Sequence, residues 1–376
     1  MAQHKDIGLY LHIPFCRQRC HFCAFYLEIP KGDRLDSFMF ALERELDLYR
    51  EQAVIGNRPL HTVYLGGGTP TVIPARRLAA LLNRIRNTFP LTPQAELTVE
   101  AHPSTVGTDD VRILADAGFT RISFGAESMN QADFAPLGRP GSVNETRQAV
   151  ADARAAGFTN INLDLMYGLP GQSLASWRTT LHSLLELSPT HVSCYALTIE
   201  EGTKLAQDIA KGLAPAPDDS LQLDMEAATE AILGKAGLTR YEISNYAKPG
   251  FACRHNQLYW TNQDYLGLGP SAQSYVDGVR FGNIANLETY CSLLQEDRLP
   301  VSDRVRLSPD EQRRDALIFG LRLLTGVPRE MALNDPDQRP AIEQLAAKGL
   351  LATEDDRIRL TPLGRRYHDS VAEELF

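Results

Sequence analysis

Along the first half of the chain, short continuous apolar runs alternate with longer stretches whose apolar residues recur every three or four positions. The runs read as buried strands and the stretches as helices with one apolar face. Residues 7–12 form the first such run. Leu35, Phe38, Leu42, Leu46 and Tyr49 then mark a helix behind Asp33, a candidate cap. The next run, 62–65, leads into Gly66-Gly67-Gly68-Thr69-Pro70-Thr71, and a helix carrying Leu78, Leu81, Leu82 and Ile85 follows. Strands over 96–100, 121–125, 160–165 and 191–197 then alternate with helices over 109–117, 143–155 and 175–187. These are six strand-then-helix units, the last helix displaced beyond Glu200, and such alternation forces parallel pairing through right-handed crossovers. A closed eight-unit barrel needs roughly 250 residues. The expectation is therefore an α/β fold with a barrel that closes only part-way.

An internal echo supports the count. Ala117-Gly118-Phe119-Thr120-Arg121-Ile122 returns as Ala156-Gly157-Phe158-Thr159-Asn160-Ile161, and more loosely as Ala236-Gly237-Leu238-Thr239-Arg240-Tyr241. Each places glycine where a helix ends in left-handed geometry before the next strand. From 201 to 300 the pattern loosens into a helix over 221–236, a short strand over 241–246 and a polar, aromatic loop. Beyond Ser308 come helices over 311–324 and 341–348, two short strands over 349–353 and 358–361, and a last helix from Leu363, an arrangement like a winged helix. The chain thus divides into a partial barrel (1–200), an extension (201–300) and a small carboxyl-terminal α+β unit (301–376).

Composition narrows the class. With 43% hydrophobic and 23% charged residues over 376 positions, this is an ordinary globular chain. No run approaches the roughly 20 apolar residues of a membrane helix, and residues 1–6 lack a signal peptide's apolar region, so a cytoplasmic location is expected. A net charge of -9 argues against nucleic acid as a partner. From Val301 onward twelve Lys and Arg face fourteen Asp and Glu, so the winged unit reads as a lid or docking module.

Half of the six cysteines crowd into one loop at the end of the first strand: Cys16, Cys20 and Cys23. So tight a run cannot pair internally without strain and would leave one thiol over, whereas three thiolates can converge on a soft metal centre. They suit three irons of a [4Fe-4S] cube with the fourth open. The alternatives are a zinc site completed by His12 or His21, or unmetallated thiols. In parallel-strand folds ligands collect at the carboxyl ends of strands, where the other informative residues also fall: the triple glycine, Glu100, Asp164 and, in a loop, Arg139. A carboxylate in an apolar strand needs a cation or hydrogen bonds, from a bound amine or ribose or from a neighbouring arginine.

The cysteine spacing and its flanks resemble the radical S-adenosylmethionine (SAM) superfamily. Tyr10 to Cys16, the Cys20-His21-Phe22-Cys23 pair, Gly66 to Thr71, Asp164 to Gln172, and Cys253-Arg254-His255-Asn256-Gln257-Leu258-Tyr259-Trp260 together resemble its heme-chaperone branch, related to oxygen-independent coproporphyrinogen III oxidase (HemN). The resemblance implies a partial (β/α)6 barrel, a [4Fe-4S] cluster on the three cysteines, and SAM contacts from Tyr10, Phe22, Gly67, Gly68, Thr69, Glu100, Glu127, Arg139 and Asp164. Glu127 stands where relatives have glutamine, which puts its contact in doubt, and His102 stands where asparagine is common. The oxidase has a fourth cysteine where this chain has Phe25. The resemblance further implies heme as a cofactor, with His255 as an iron ligand and Tyr259 and Trp260 as flat faces for the porphyrin. Cys253 is an alternative ligand or a buried thiol; Cys194 and Cys291 read as core. Implied partners are heme-acceptor proteins such as respiratory cytochromes, membrane-associated ones included, and an electron donor. An oxidase or methyltransferase activity is the competing reading, and an interaction module centred on the winged unit is a third.

Overall fold

The computed structural model describes residues 7–333 and 338–376; the start of the chain, on which the signal-peptide expectation rests, lies outside them. A twelve-stranded mixed sheet dominates. Its strands are β1 (Ile7–Ile13), β2 (Leu60–Gly67), β3 (Leu91–Ala101), β4 (Arg121–Glu127), β5 (Asn160–Tyr167), β6 (His191–Ala196), β7 (Thr239–Arg240), β8 (Asn245–Ala247), β9 (Asp264–Leu268), β10 (Gln273–Val276), β11 (Val279–Asn283) and β12 (Val301–Arg306). The order is β12-β11-β10-β9-β1-β2-β3-β4-β5-β6-β8-β7, so the six expected parallel strands lie side by side in sequence order and the sheet curls without closing.

The strands alternate strictly between two environments. Leu9, Leu11, Val63, Leu65, Val99, Ile122, Phe124, Leu163, Leu165 and Val192 point outward and are buried with the crossover helices in one core. Helices Arg34–Glu51 and Ala75–Thr88 bring Phe38, Leu42, Leu46, Leu78, Leu81 and Ile85 to it. The inward positions are polar: Tyr10 and His12, Thr62 and Tyr64, Glu96 and Glu100, Arg121 and Ser123, Asn162 and Asp164, His191 and Ser193. Gly118, Gly157 and Gly237 all take positive φ after their helices, as the echo required.

Three expectations change. Asp33 precedes its helix but makes no side-chain cap bond; its carbonyl takes the Ser37 N–H at 2.9 Å instead. The segment 241–246 is not one strand: 241–244 turn between β7 and β8, and only 245–246 are strand. The polar loop around His255 is helical, Arg254–Trp260, and beyond it β9 to β12 extend the sheet past β1. These strands are each only four to six residues long, so no run is long enough to show a period. The last of them, β12, lies beyond Pro300, so the carboxyl-terminal unit begins at Ser308.

That unit packs its own core of Leu317, Ile318, Leu321, Ile342, Leu345, Ile358 and Val371. Its sheet has β14 (Leu351–Glu354) and β15 (Arg357–Leu360) as the expected wing, with β13 (Val327–Pro328) added on the other edge of β15. Asp355 and Asp356 both take positive φ, which a two-residue hairpin turn requires. Trp260, ending the His255 helix, joins the two parts: the Arg322 guanidinium lies 4.3 Å from its ring and pairs with the fully buried Glu242 at 3.3 Å.

Candidate functional site

The cysteine loop is fastened at several points. The Cys16 N–H donates to Glu28 O at 3.0 Å, and Phe15 O and Ile13 O accept from Thr69 and Gly68 N–H at 2.7 and 2.8 Å. His21 donates its backbone N–H to Leu137 O and sets Nδ1 against Pro136 O, while His12 Nδ1 meets the Tyr10 hydroxyl. Both Nδ1 atoms are thus bonded away from the sulfurs. All six cysteines are unpaired. Burial pushes the Cys20 thiol up to about 11 against the field of Arg139, and raises Cys16 against the Thr69 hydroxyl, 3.4 Å from its Sγ; metal would have to displace these protons. Among the described residues no three His, Cys, Asp or Glu side chains converge closely enough for a single ion. In a cubane each thiolate takes a different iron, so its sulfurs stand further apart. Three thiols on one short loop are the donor set that three irons of such a cluster take.

The glycines are needed for packing. Gly67 has φ +110° and a Cβ there would lie 2.8 Å from the His12 ring; one on Gly68 would lie 2.7 Å from Phe15 O. Their amides are already used, Gly67 N–H on Glu100 and Gly68 N–H on Ile13 O, so neither is open to a ligand. A bound amino group would instead use acceptors. Two stand ready: Glu100, held by the Tyr64 hydroxyl at 2.7 Å, and Asp164, held by Asn162 at 2.8 Å and Ser123 at 3.3 Å. Neither pairs with an Arg or Lys among the described residues. Burial raises Glu100 to about 7, and Asp164 adds to the effect. Inward carboxylates lacking a cation suit the ammonium, sulfonium and ribose hydroxyls of SAM.

Arg139 does bind a carboxylate, but one of the protein's own. A register shift at the end of β4 puts Glu127 at φ +60° and turns it to Arg139 at 3.4 Å, where Arg139 also donates to Gly125 O. Both side chains are buried. The glutamate that departs from the family pattern thus has its charge met by the neighbouring arginine. His102 likewise takes over an asparagine's work, with Nδ1 accepting from Ser104 N at 3.1 Å to cap a turn. Phe22 packs on a small apolar cluster of Leu137, Met166, Leu169, Leu197 and Leu205.

At the other end of the lumen sits the helix of His255, which is 1% exposed. Both ring nitrogens are engaged, Nδ1 with Thr62 Oγ1 at 2.7 Å and Nε2 with the Tyr259 hydroxyl at 2.8 Å, and the ring stacks on Tyr64 at 5.0 Å. Burial holds its pKa down at about 3, so the imidazole is neutral. Far from a solvent-facing ligand, it is part of the lumen floor; Tyr259 packs edge-on against His255 and Tyr265, and Trp260, edge-on to Tyr259, carries the Arg322 guanidinium. Cys253 is a buried thiol 3.6 Å from Glu96. Glu96 was not anticipated: its carboxylate accepts the first N–H groups of the helix, from Arg254 at 3.2 Å and His255 at 3.1 Å. Arg121, 2% exposed, lies within the field of Glu96, with Nε and Nη1 lacking hydrogen-bond partners. The polar period-two pattern on β2 to β6 was the available signal.

The geometry can now be set beside known proteins. Residues 10–184 match the model of the radical SAM superfamily and 307–367 that of the HemN C-terminal domain. Heme chaperone HemW of Mycobacterium tuberculosis is 37% identical over 99% of this chain and 95% of its own. The chain belongs to the heme chaperone HemW family. HemW of Escherichia coli is 33% identical over 99% of both chains, and HemW of Bacillus subtilis 31% over 96% and 97%. The solved coproporphyrinogen III oxidase (HemN) of Escherichia coli, a radical SAM enzyme, superposes with TM-score 0.86 over 99% of this chain and 90% of its own, at 24% identity. That likeness carries the fold alone, an incompletely closed radical SAM barrel. Among the described residues no helix is long and apolar enough to cross a membrane.

Proposed function

We propose that this chain is a heme chaperone that carries a [4Fe-4S] cluster and SAM, binds heme and passes it to acceptor proteins. Full-length identity to HemW relatives carries the reading, and the His255, Asn256, Tyr259, Trp260 signature with Phe25 in place of the oxidase's cysteine supports it. Cys16, Cys20 and Cys23 would hold the cluster, which in this superfamily supplies an electron to SAM. Glu100 and Asp164 would meet the amino group and ribose, Tyr10, Phe22, Gly67, Gly68 and Thr69 would shape the wall, and the Arg139–Glu127 pair would fix the loop behind Cys20.

If His255 ligates heme iron, it would do so through Nε2, which the Tyr259 hydroxyl now holds at 2.8 Å. Thr62 fixes the ring through Nδ1, as the outer partner of a metal-bound imidazole does. Tyr259 occupies Nε2, so loading requires its hydroxyl to swing away. The residues divide into a barrel with its extension, which form cluster and SAM sites, and a HemN-type carboxyl-terminal unit that docks onto them through Trp260. Acceptors are heme-requiring proteins such as respiratory cytochromes, reached from the cytoplasm.

Titration of the anaerobically reconstituted protein with hemin tests this. A stoichiometric Soret shift is expected in wild type, weakened in His255→Ala and retained in Cys253→Ser. No shift in wild type would sink the reading, and decarboxylation of coproporphyrinogen by the protein with dithionite and SAM would favour the oxidase instead.

A further inference from the structure

Arg121 is the anomaly of the lumen. It is 2% exposed, yet its Nε and Nη1 have no hydrogen-bond partner among the described residues. Three other well-enclosed arginines are met by carboxylates: Arg139 by Glu127 at 3.4 Å, Arg240 by Glu226 at 2.8 Å and Arg58 by Asp264 at 2.5 Å. A buried guanidinium left open in this way is costly, and a partner arriving from outside the chain accounts for it.

Strand register shows what stands beside it. Level with Arg121 are Thr98 on β3 and Asn160 on β5, and beyond Thr98 on β2 comes Tyr64, whose ring stacks on His255 at 5.0 Å. Thr98 is fully buried with its Oγ1 unbonded, and Asn160 Oδ1 is unbonded as well. Four orphaned polar atoms thus share one row across the lumen floor, next to the histidine. The nearby acids are committed elsewhere. Glu96 accepts the amides of Arg254 and His255, Glu100 is held by Tyr64, and Asp164 by Asn162 and Ser123. Water would serve Thr98 and Asn160, but it does not answer the charge of Arg121. A carboxylate does, taking charge-assisted bonds from the guanidinium and a further one from the Thr98 hydroxyl.

Resting on the reading of heme and SAM as the ligands of this chain, we propose that Arg121 and Thr98 form a carboxylate-binding subsite on the lumen floor, filled by a propionate of heme or by the methionyl carboxylate of SAM. Binding there breaks no covalent bond and needs no redox partner. It gives the lumen floor a charge anchor in the row beside His255.

The test compares each ligand with an analogue that lacks the anionic group. The anaerobically reconstituted full-length protein is titrated with hemin and with hemin dimethyl ester, followed by the Soret band, and with SAM and decarboxylated SAM, followed by calorimetry. In wild type the carboxylate form of one pair is expected to bind about ten- to a hundredfold more tightly than its analogue. That preference should fall to near parity in Arg121→Gln and by about threefold in Thr98→Val, which keeps the shape and loses the hydroxyl. The pair whose preference collapses identifies the source of the carboxylate. Because only the ratio within a pair is compared between proteins, differences in ligand solubility cancel. Should Arg121→Gln fail to fold, as its circular dichroism melt would show, Thr98→Val decides. Preferences unchanged by the substitutions in both pairs would overturn the subsite and leave the row to water. Wild type that binds neither hemin nor its ester would instead overturn the heme reading, and the SAM pair then decides the subsite.

Discussion

Glu96 is the residue on which the lumen floor depends most. It accepts two backbone N–H groups at the start of the His255 helix, at 3.2 and 3.1 Å, and the Cys253 thiol lies 3.6 Å from it. Glu96→Ala would leave two buried amides without an acceptor, at about 1–3 kcal/mol each. The two amides begin one helix and share one carboxylate, so their costs overlap and the expected loss is about 2–4 kcal/mol in total. Glu96→Gln keeps one acceptor oxygen and should lose about half as much. Urea unfolding followed by tryptophan fluorescence measures this directly, since one of the two tryptophans, Trp260, ends that helix. If Glu96→Ala unfolds within about 0.5 kcal/mol of wild type, the carboxylate does not hold the helix and the account of the floor is wrong.

Other outcomes follow from the same geometry. Glu100, raised to about 7 by burial, must ionise to meet a cation, so SAM should bind more tightly as pH rises through 7 and release a proton; calorimetry in buffers of different ionisation enthalpy would show this, and a pH dependence unchanged in Glu100→Gln would refute it. The same raised value means that Glu100 favours folding most below its unfolded pKa of 4.5 and that this contribution fades as pH climbs to about 7. Gly67→Ala combines φ +110° with a Cβ 2.8 Å from His12 and should cost about 1–3 kcal/mol and lower the iron bound on reconstitution, read by iron and sulfide analysis. Arg322→Ala removes the cation over Trp260 and strips buried Glu242 of its ion pair, so limited proteolysis between β12 and the helix beginning at Pro309 should accelerate severalfold.

Much of the architecture could be read before any coordinates. The helix Val143–Ala155 and all six parallel strands are legible to within a few residues, because the strands' outward faces are continuous apolar runs and two of the crossover helices end at Gly118 and Gly157. The added strands beyond β1 escaped notice, as did Glu96 and Arg121, whose importance depends on a helix more than 130 residues away in sequence meeting them. Asp264 is similar: buried in β9, its Oδ2 pairs with Arg58 at 2.5 Å, a partner that no local pattern could supply.

Local chemistry by itself determined the three crowded thiols, the left-handed glycines and the alternation of strand and helix, since each depends on neighbours a few positions away. Only the tertiary structure decided that Glu127 belongs to Arg139, that the glycine amides are already taken, and that His255 faces inward with both nitrogens bonded. Hydrogen bonds and burial are settled by which distant groups arrive at the same place, and that is a property of the folded chain.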